Sequence, residues 1–488
     1  MHAAILSYAA RRGRPVTPKS FSSVVKAAVL PLVMITLTAC GGGGGGETTT
    51  QTTGTALTLS GSVGDGPVVD AQISVRDANG HLIAKSKSDG QAKYTVTIPA
   101  GTELPIVLES SGGTDLITGA RPDFSLSSAL FDPRSGVLNL NPFSTLVVAT
   151  ARDMNGGLNN DNAAAATQAI RDLLSFGLDT SIVADPTSTP INETNVATII
   201  KASEALGEAI RRTRDALSSV GGNENAEKVI AAIAGDLSDG VLDGQGPNAS
   251  PQTTATLSVV SAPVLIEVLH NRLQVNGADA TARLDNAIKI TSPTTQQTTA
   301  SARLTNAVIL QTRRAVAAAQ AASPQTDLTA VSTALASLSA TTSASELEAV
   351  LPYSSRDLFD AATYASAGAT AEQSNAIIAA AADGDAATGT SSDTGSNANT
   401  GGSSSSGYVL RINAAGTNYT GSDGKSWSAD TGFLSGRTST NSNTITGTND
   451  PTLYQSERWA DTGDLEYAFD VPNGTYSVQL HFAENYDN

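Results

Sequence analysis

Apolar residues in this chain change their spacing along its length, and the change fixes the classes of structure open to it. From Leu57 they alternate: Leu57 and Leu59, Ile73 and Val75, then Tyr94, Val96 and Ile98, followed by a continuous apolar run over 106–108. A period of two gives a strand one apolar face. Gly64-Asp65-Gly66-Pro67, Asn79-Gly80 and Asp89-Gly90 separate the runs with turn-forming residues. Residues 57–138 are therefore predicted to form a small antiparallel β-sandwich.

Beyond about Asn139 the spacing becomes helical. Asn141 stands as a cap before Pro142, whose missing amide is not needed in a first helical turn. Helices are predicted over 163–176, 195–220, 226–237, 254–273, 278–288, 301–322, 328–338 and 346–351. In the second, Ile199, Ile200, Leu206, Ile210 and Leu217 recur at helical spacing, with Glu204, Glu208, Arg211 and Arg212 elsewhere around the helix. Breaks fall at Gly221-Gly222, 244–251, Pro293 and Pro324. Residues 139–382 thus read as an all-α domain, and 383–407, with no large apolar residue, as a Gly/Ser-rich linker.

At the N-terminus, Arg11, Arg12, Arg14, Lys19 and Lys26 precede an apolar run over 27–37, which is too short to span a bilayer and has the make-up of a signal peptide. It ends in Leu37-Thr38-Ala39-Cys40-Gly41, which resembles the lipobox of bacterial lipoproteins. That resemblance implies acylation of Cys40, cleavage before it, and, with Gly41 next, residence in an outer membrane. Cys40 is the single cysteine, so no internal disulfide competes for it. Residues 41–56, Gly- and Thr-rich, would form a tether. No later apolar run of twenty residues is present, so membrane attachment is expected through the lipid alone. A net charge of −17 argues against a nucleic-acid partner.

Gly61-Ser62-Val63, Pro67 to Ala71, and Asp89-Gly90 before a strand resemble carboxypeptidase-regulatory-like and immunoglobulin-like modules, which are usually spacers. Both tryptophans, Trp427 and Trp459, and six of the ten tyrosines follow Gly407. Aromatic rings stack on sugar faces and also fill β cores, so this concentration alone leaves both open. The order of residues adds to it: Val-Leu-Arg-Ile-Asn-Ala over 409–414, Gly416, Asp423-Gly424, Trp427, Leu-Tyr-Gln-Ser-Glu-Arg-Trp over 453–459, and Tyr476 to Tyr486. It resembles the malectin domain over 408–488. The resemblance implies a jelly-roll-like C-terminal β-sandwich that binds a glucan or oligosaccharide, with Trp459, Tyr486, Tyr454 and Trp427 as binding residues. Asp487 stands where the animal family member has Phe, and the family's binding aspartate would fall beyond Asn488, so glucose specificity does not carry over. The family's domain runs to about twice this length. The sandwich is therefore expected to be incomplete, with an exposed edge.

Other chemistry is not apparent. His2, His81, His270 and His481 are too dispersed for a zinc site, and there is no Gly-x-Ser-x-Gly elbow. No catalytic, metal or cofactor site is expected. The acidic stretches 153–161 and 236–244 lack EF-hand spacing and read as helix-end turns. Alternation over 476–482 leaves His481 a solvated strand residue, and Glu457 with Arg458 is expected to brace a loop carrying Trp459. The resulting expectation is a multidomain surface lipoprotein that binds carbohydrate: signal peptide 1–40, tether 41–56, β-sandwich 57–138, helices 139–382, linker 383–407 and malectin-like domain 408–488. The alternatives are an accessory region of a secreted glycoside hydrolase and an adhesive protein with protein partners.

Overall fold

A computed structural model describes residues 6–8, 53–384 and, with interruptions, 411–467. The chain divides into two compact units, one comprising 45–394 and the other 395–488 with 1–44. Strand β1 (Leu6–Tyr8) belongs to the second unit, where it pairs antiparallel with residues 465–467.

The first unit opens with β strands. β2 (Leu57–Ser62) is followed by β3 (Val68–Val69), β4 (Gln72–Arg76), β5 (Leu82–Lys87), β6 (Lys93–Ile98), β7 (Ile106–Ser111), β8 (Thr114–Asp115) and β9 (Ser127–Leu130). One antiparallel sheet has the order β5-β4-β7-β9, while β2 pairs with β6 and β3 with β8. In β6 the alternation is complete, with Tyr94, Val96 and Ile98 buried and Thr95 and Thr97 exposed. The chain then runs parallel to β2 through bridges Ser60–Val137 and Val63–Leu140, and Tyr94 Oη donates to Leu138 O at 2.6 Å. That segment leads directly into α1 (Pro142–Asp153), where the Asn141 side chain accepts from Ser144 N at 2.8 Å and Ser144 Oγ accepts in return from Asn141 N at 2.9 Å. The predicted cap and first-turn proline are both in place, and the β residues and helices share one apolar core.

The helices are α2 (Asn160–Leu173), α3 (Val196–Ser219), α4 (Ala226–Asp236), α5 (Pro251–Leu269), α6 (Thr281–Thr291), α7 (Asn306–Ala322), α8 (Thr329–Ser337), α9 (Ala344–Val350), α10 (Asp360–Ala367) and α11 (Ala371–Asp383), with a short hairpin of β10 (Gln274–Val275) and β11 (Ala278–Asp279) before α6. The sequence places a helix from 278, but 278–279 pair as a strand first, because Asn276 and Gly277 turn the chain with positive φ. Residues 360–383 form two helices that the apolar spacing does not announce. α5 packs against α3, α7, α10 and α11. Among the described residues it alone is long and apolar enough to cross a membrane, but 83% of its window is buried in the protein, as in a core helix.

α3 carries the main departure from expectation. Glu204, Glu208 and Arg211, placed by spacing away from the apolar stripe, are buried. The Arg211 guanidinium bonds Asp65 Oδ2 at 2.6 Å, Glu208 Oε2 at 2.9 Å and Glu204. Arg212 joins Glu208 to Glu267 of α5, which also meets Arg356 at 3.3 Å. The loop bearing Asp65 thus reaches across the β region to cover a helix face. Gly66 permits this approach, since a Cβ there would lie 2.8 Å from Glu204 Oε2 and 2.3 Å from Ile117 Cγ1.

Asp236, at the end of α4, closes the turn to α5, accepting from Asp243 N and Gly244 N at 2.9 Å each and from the Thr254 hydroxyl. This is the helix-end turn expected for that acidic stretch. Burial pushes its carboxyl up to about 6 despite those bonds. A raised carboxyl favours the fold most below its unfolded value and loses that contribution as pH rises through about 6. Asp236→Asn keeps the acceptor for both amides and can donate to Thr254. Its melting temperature, relative to wild type, is expected to be higher at pH 8 than at pH 5, as differential scanning calorimetry at the two pH values would show.

Candidate carbohydrate-binding site

The second unit contains β12 (Ile412–Asn413), β13 (Tyr419–Thr420), β14 (Ser426–Ala429), β15 (Arg437–Thr440), β16 (Ser456–Trp459) and β17 (Leu465–Tyr467). β14 lies between β12, parallel to it, and β13, antiparallel. β15 and β16 form an antiparallel ladder with Arg437 opposite Trp459 and Thr438 opposite Arg458.

Strand alternation assigns the motif residues to two faces. Ser456 and Arg458 take one, Glu457 and Trp459 the other. Arg458 donates from Nε and Nη2 to Asp430 Oδ2 at 2.8 and 2.6 Å and from Nη1 to Gly436 O at 3.1 Å. Its guanidinium carbon sits 3.6 Å from the centre of the Phe433 ring. Tyr467 Oη donates to the other oxygen of Asp430 at 2.8 Å, and burial together with that carboxylate pushes the phenol well above its ordinary range. Arg458 and Asp430 are both nearly enclosed, with side chains 7% and 8% exposed. Ser456 Oγ donates to Ala414 O at 3.0 Å, while buried Asn413 donates to Thr417 O at 2.8 Å. Gly416 is required there, because a Cβ would stand 2.2 Å from Asn413 Nδ2.

These contacts revise the role expected of Glu457 and Arg458. Adjacent strand residues point to opposite faces, so the bracing partner of Arg458 is Asp430, and Trp459 rides on a strand. Trp459 is half-buried, and its indole Nε1–H is itself buried, with no hydrogen-bond partner among the described residues. Tyr454 ends the short turn Pro451–Tyr454 that leads into β16, so it and Trp459 share one turn-and-strand segment. Trp427 lies on β14 opposite Tyr419, in a different sheet from Trp459. Tyr419 Oη donates to Asp450 Oδ1 at 3.1 Å. Tyr486, Asp487, His481 and Cys40 lie outside the described residues. Sequence reasoning missed Asp430 and Tyr467, for which the chain carries no local signal.

Among the described residues one group has the residue types of a metal site: Asp65, Asp115 and Glu204 bring carboxylate oxygens within 4.8 Å of one another. Arg211 already bonds two of the three, and Asp115 accepts from Ile117 N at 2.8 Å and Thr118 Oγ1 at 2.7 Å. Burial pushes the Glu204 carboxyl well up, toward its neutral form. Arg211 thus pairs with two of the three carboxyls, and the group braces the β region against the helix.

No curated protein and no solved structure matches the chain. Residues 408–488 match the family model for the malectin domain. The C-terminal segment is therefore a malectin domain, a carbohydrate-binding type, on a chain whose other described parts mix β strands and helices.

Proposed function

We propose that this protein is a surface lipoprotein, acylated on Cys40, whose malectin domain binds a glucan or oligosaccharide. The observation that carries the binding reading is the malectin match over 408–488, together with the geometry of its Ser456–Trp459 strand. Arg458 is fixed on one face by Asp430 and Gly436, which holds the strand so that Trp459 presents its ring on the other. An indole ring offers a flat apolar surface to sugar C–H groups. Tyr454 and Trp427 are proposed to widen the surface, and Tyr486 to complete it. The strands at 57–138 are read as an immunoglobulin-like sandwich spacer, and 41–56 as the tether that holds it off the membrane. An outer-membrane address rests on the residue after Cys40 being Gly41.

Electrophoresis of the full chain through gels cast with different glucans tests the binding. Retardation by at least one, relieved by free oligosaccharide, is expected; unretarded migration in all of them would remove the proposal. Metabolic labelling with an alkyne fatty acid tests the anchor. Wild type is expected to take up label and Cys40→Ala to remain unlabelled and be released from membranes, whereas equal labelling of the two would refute acylation at this sulfur.

A further inference from the structure

Lys201, on α3, has no part in the carbohydrate reading, yet its surroundings are those of a ligand site. Its side chain is buried, and Nζ donates to Asn271 Oδ1 at 2.5 Å. Burial pushes the amine down to about 7, with no neighbouring charge contributing. It lines a cavity of about 710 Å³, within the range that small ligands occupy. Val268, Leu269 and Val308 give the cavity apolar walls, and exposed Ser181, Arg303 and Asn306 stand at its rim. Among the described residues, Asp179 and Arg303 are the other charged groups in the lining. On the packed elements nearby, Glu204 is engaged by Arg211, and Glu267 by Arg212 and Arg356.

We propose that this cavity binds a small aldehyde or ketone and that Lys201 Nζ captures its carbonyl carbon as an imine. A buried amine that is unprotonated in about half of the molecules near neutrality is a nucleophile, and an anion would be a poorer ligand because it would need the proton that burial disfavours. The nitrogen lone pair forms the C–N bond as the carbonyl π pair moves to oxygen. The two amine protons pass to that oxygen, which leaves as water, so the step needs no oxidant or reductant. Asn271, accepting from Nζ, positions the amine.

The test is to incubate the full chain with propanal and sodium cyanoborohydride at pH 7, where the reagent reduces any imine to a stable secondary amine, and to map labelled peptides by mass spectrometry. Lys201 is expected to label at least about tenfold faster than the exposed Lys85, Lys87 and Lys228, because an ordinary lysine is almost wholly protonated at that pH. Ala307→Trp, a substitution at an exposed rim position that leaves the amine in place, is expected to suppress labelling at Lys201 alone. Labelling of Lys201 no faster than the surface lysines, in protein whose melting curve shows it folded, would overturn the proposal. So would an Ala307→Trp variant labelled at Lys201 as fast as wild type.

Discussion

Arg211→Met is expected to lower the stability of the 45–394 unit by about 3–5 kcal/mol, read as a shift of its urea midpoint, because removing one partner of a buried ion pair strands the others. Arg211 is 2% exposed and faces four carboxyls, Asp65, Glu204, Glu208 and, at 4.0 Å, Asp123, from three parts of the chain. Methionine fills much of the volume but offers no donor, so Asp65 and Glu208 would keep charge in a site closed to water or take up protons. Glu204→Gln is expected to behave differently, costing less than about 1 kcal/mol, because the amide keeps an acceptor for Arg211 and replaces a carboxyl already held neutral. The sign of the pH dependence supports the same account. A carboxyl raised by burial stabilises the fold at pH below its unfolded value and loses that contribution as pH rises through the folded one. Glu204→Gln should therefore flatten the alkaline limb of the stability curve. A midpoint for Arg211→Met within experimental error of wild type would show that the cluster does not join the β region to α3.

Arg458→Ala is expected to abolish glucan retention while leaving the melting of the 45–394 unit unchanged. The Arg458–Asp430 pair is nearly buried, and its loss leaves Asp430 enclosed with the Tyr467 hydroxyl but no cation, and frees the turn at Gly436. The cost to local stability is again about 3–5 kcal/mol. Arg458→Lys should recover little, since an ammonium cannot reproduce the Nε and Nη2 bonds to one carboxylate while also lying over Phe433 and reaching Gly436 O. Two separate compact units predict that only one transition moves, which calorimetry of the full chain would resolve.

What the sequence disclosed and what it concealed follow from the range of each interaction. Strands at Leu57–Ser62, Gln72–Arg76 and Lys93–Ile98 follow from apolar alternation and bounding turns, which act over a few residues. Asn141 and Pro142 likewise mark a helix start by chemistry confined to one turn. α10 was hidden because its buried positions, Ala362, Ser366 and Ala367, are small, and α11 because the adjacent Ile377 and Ile378, buried with Ser374, do not set a helical stripe of large apolar residues. The charged face of α3 was misplaced for another reason. Its cover comes from Asp65, 146 residues away, and a periodicity argument sees only the helix itself. The aromatic positions and the strand of Trp459 were legible from residue order, but the Arg458–Asp430 pair spans 28 residues and appears only once β15, β16 and the segment after β14 are folded together.

The Trp459 face of the β15–β16 ladder is the surface through which the malectin domain is proposed to bind carbohydrate. A glycan array probed with the full chain, in parallel with Trp459→Ala of matched melting behaviour, measures this most directly. Wild type is expected to mark a defined set of glucans or oligosaccharides, and the variant to lose at least about tenfold in affinity for the same set, as for removal of a central aromatic contact worth more than about 1.4 kcal/mol. Array signals that are absent for wild type, or equal for the two proteins, would contradict it.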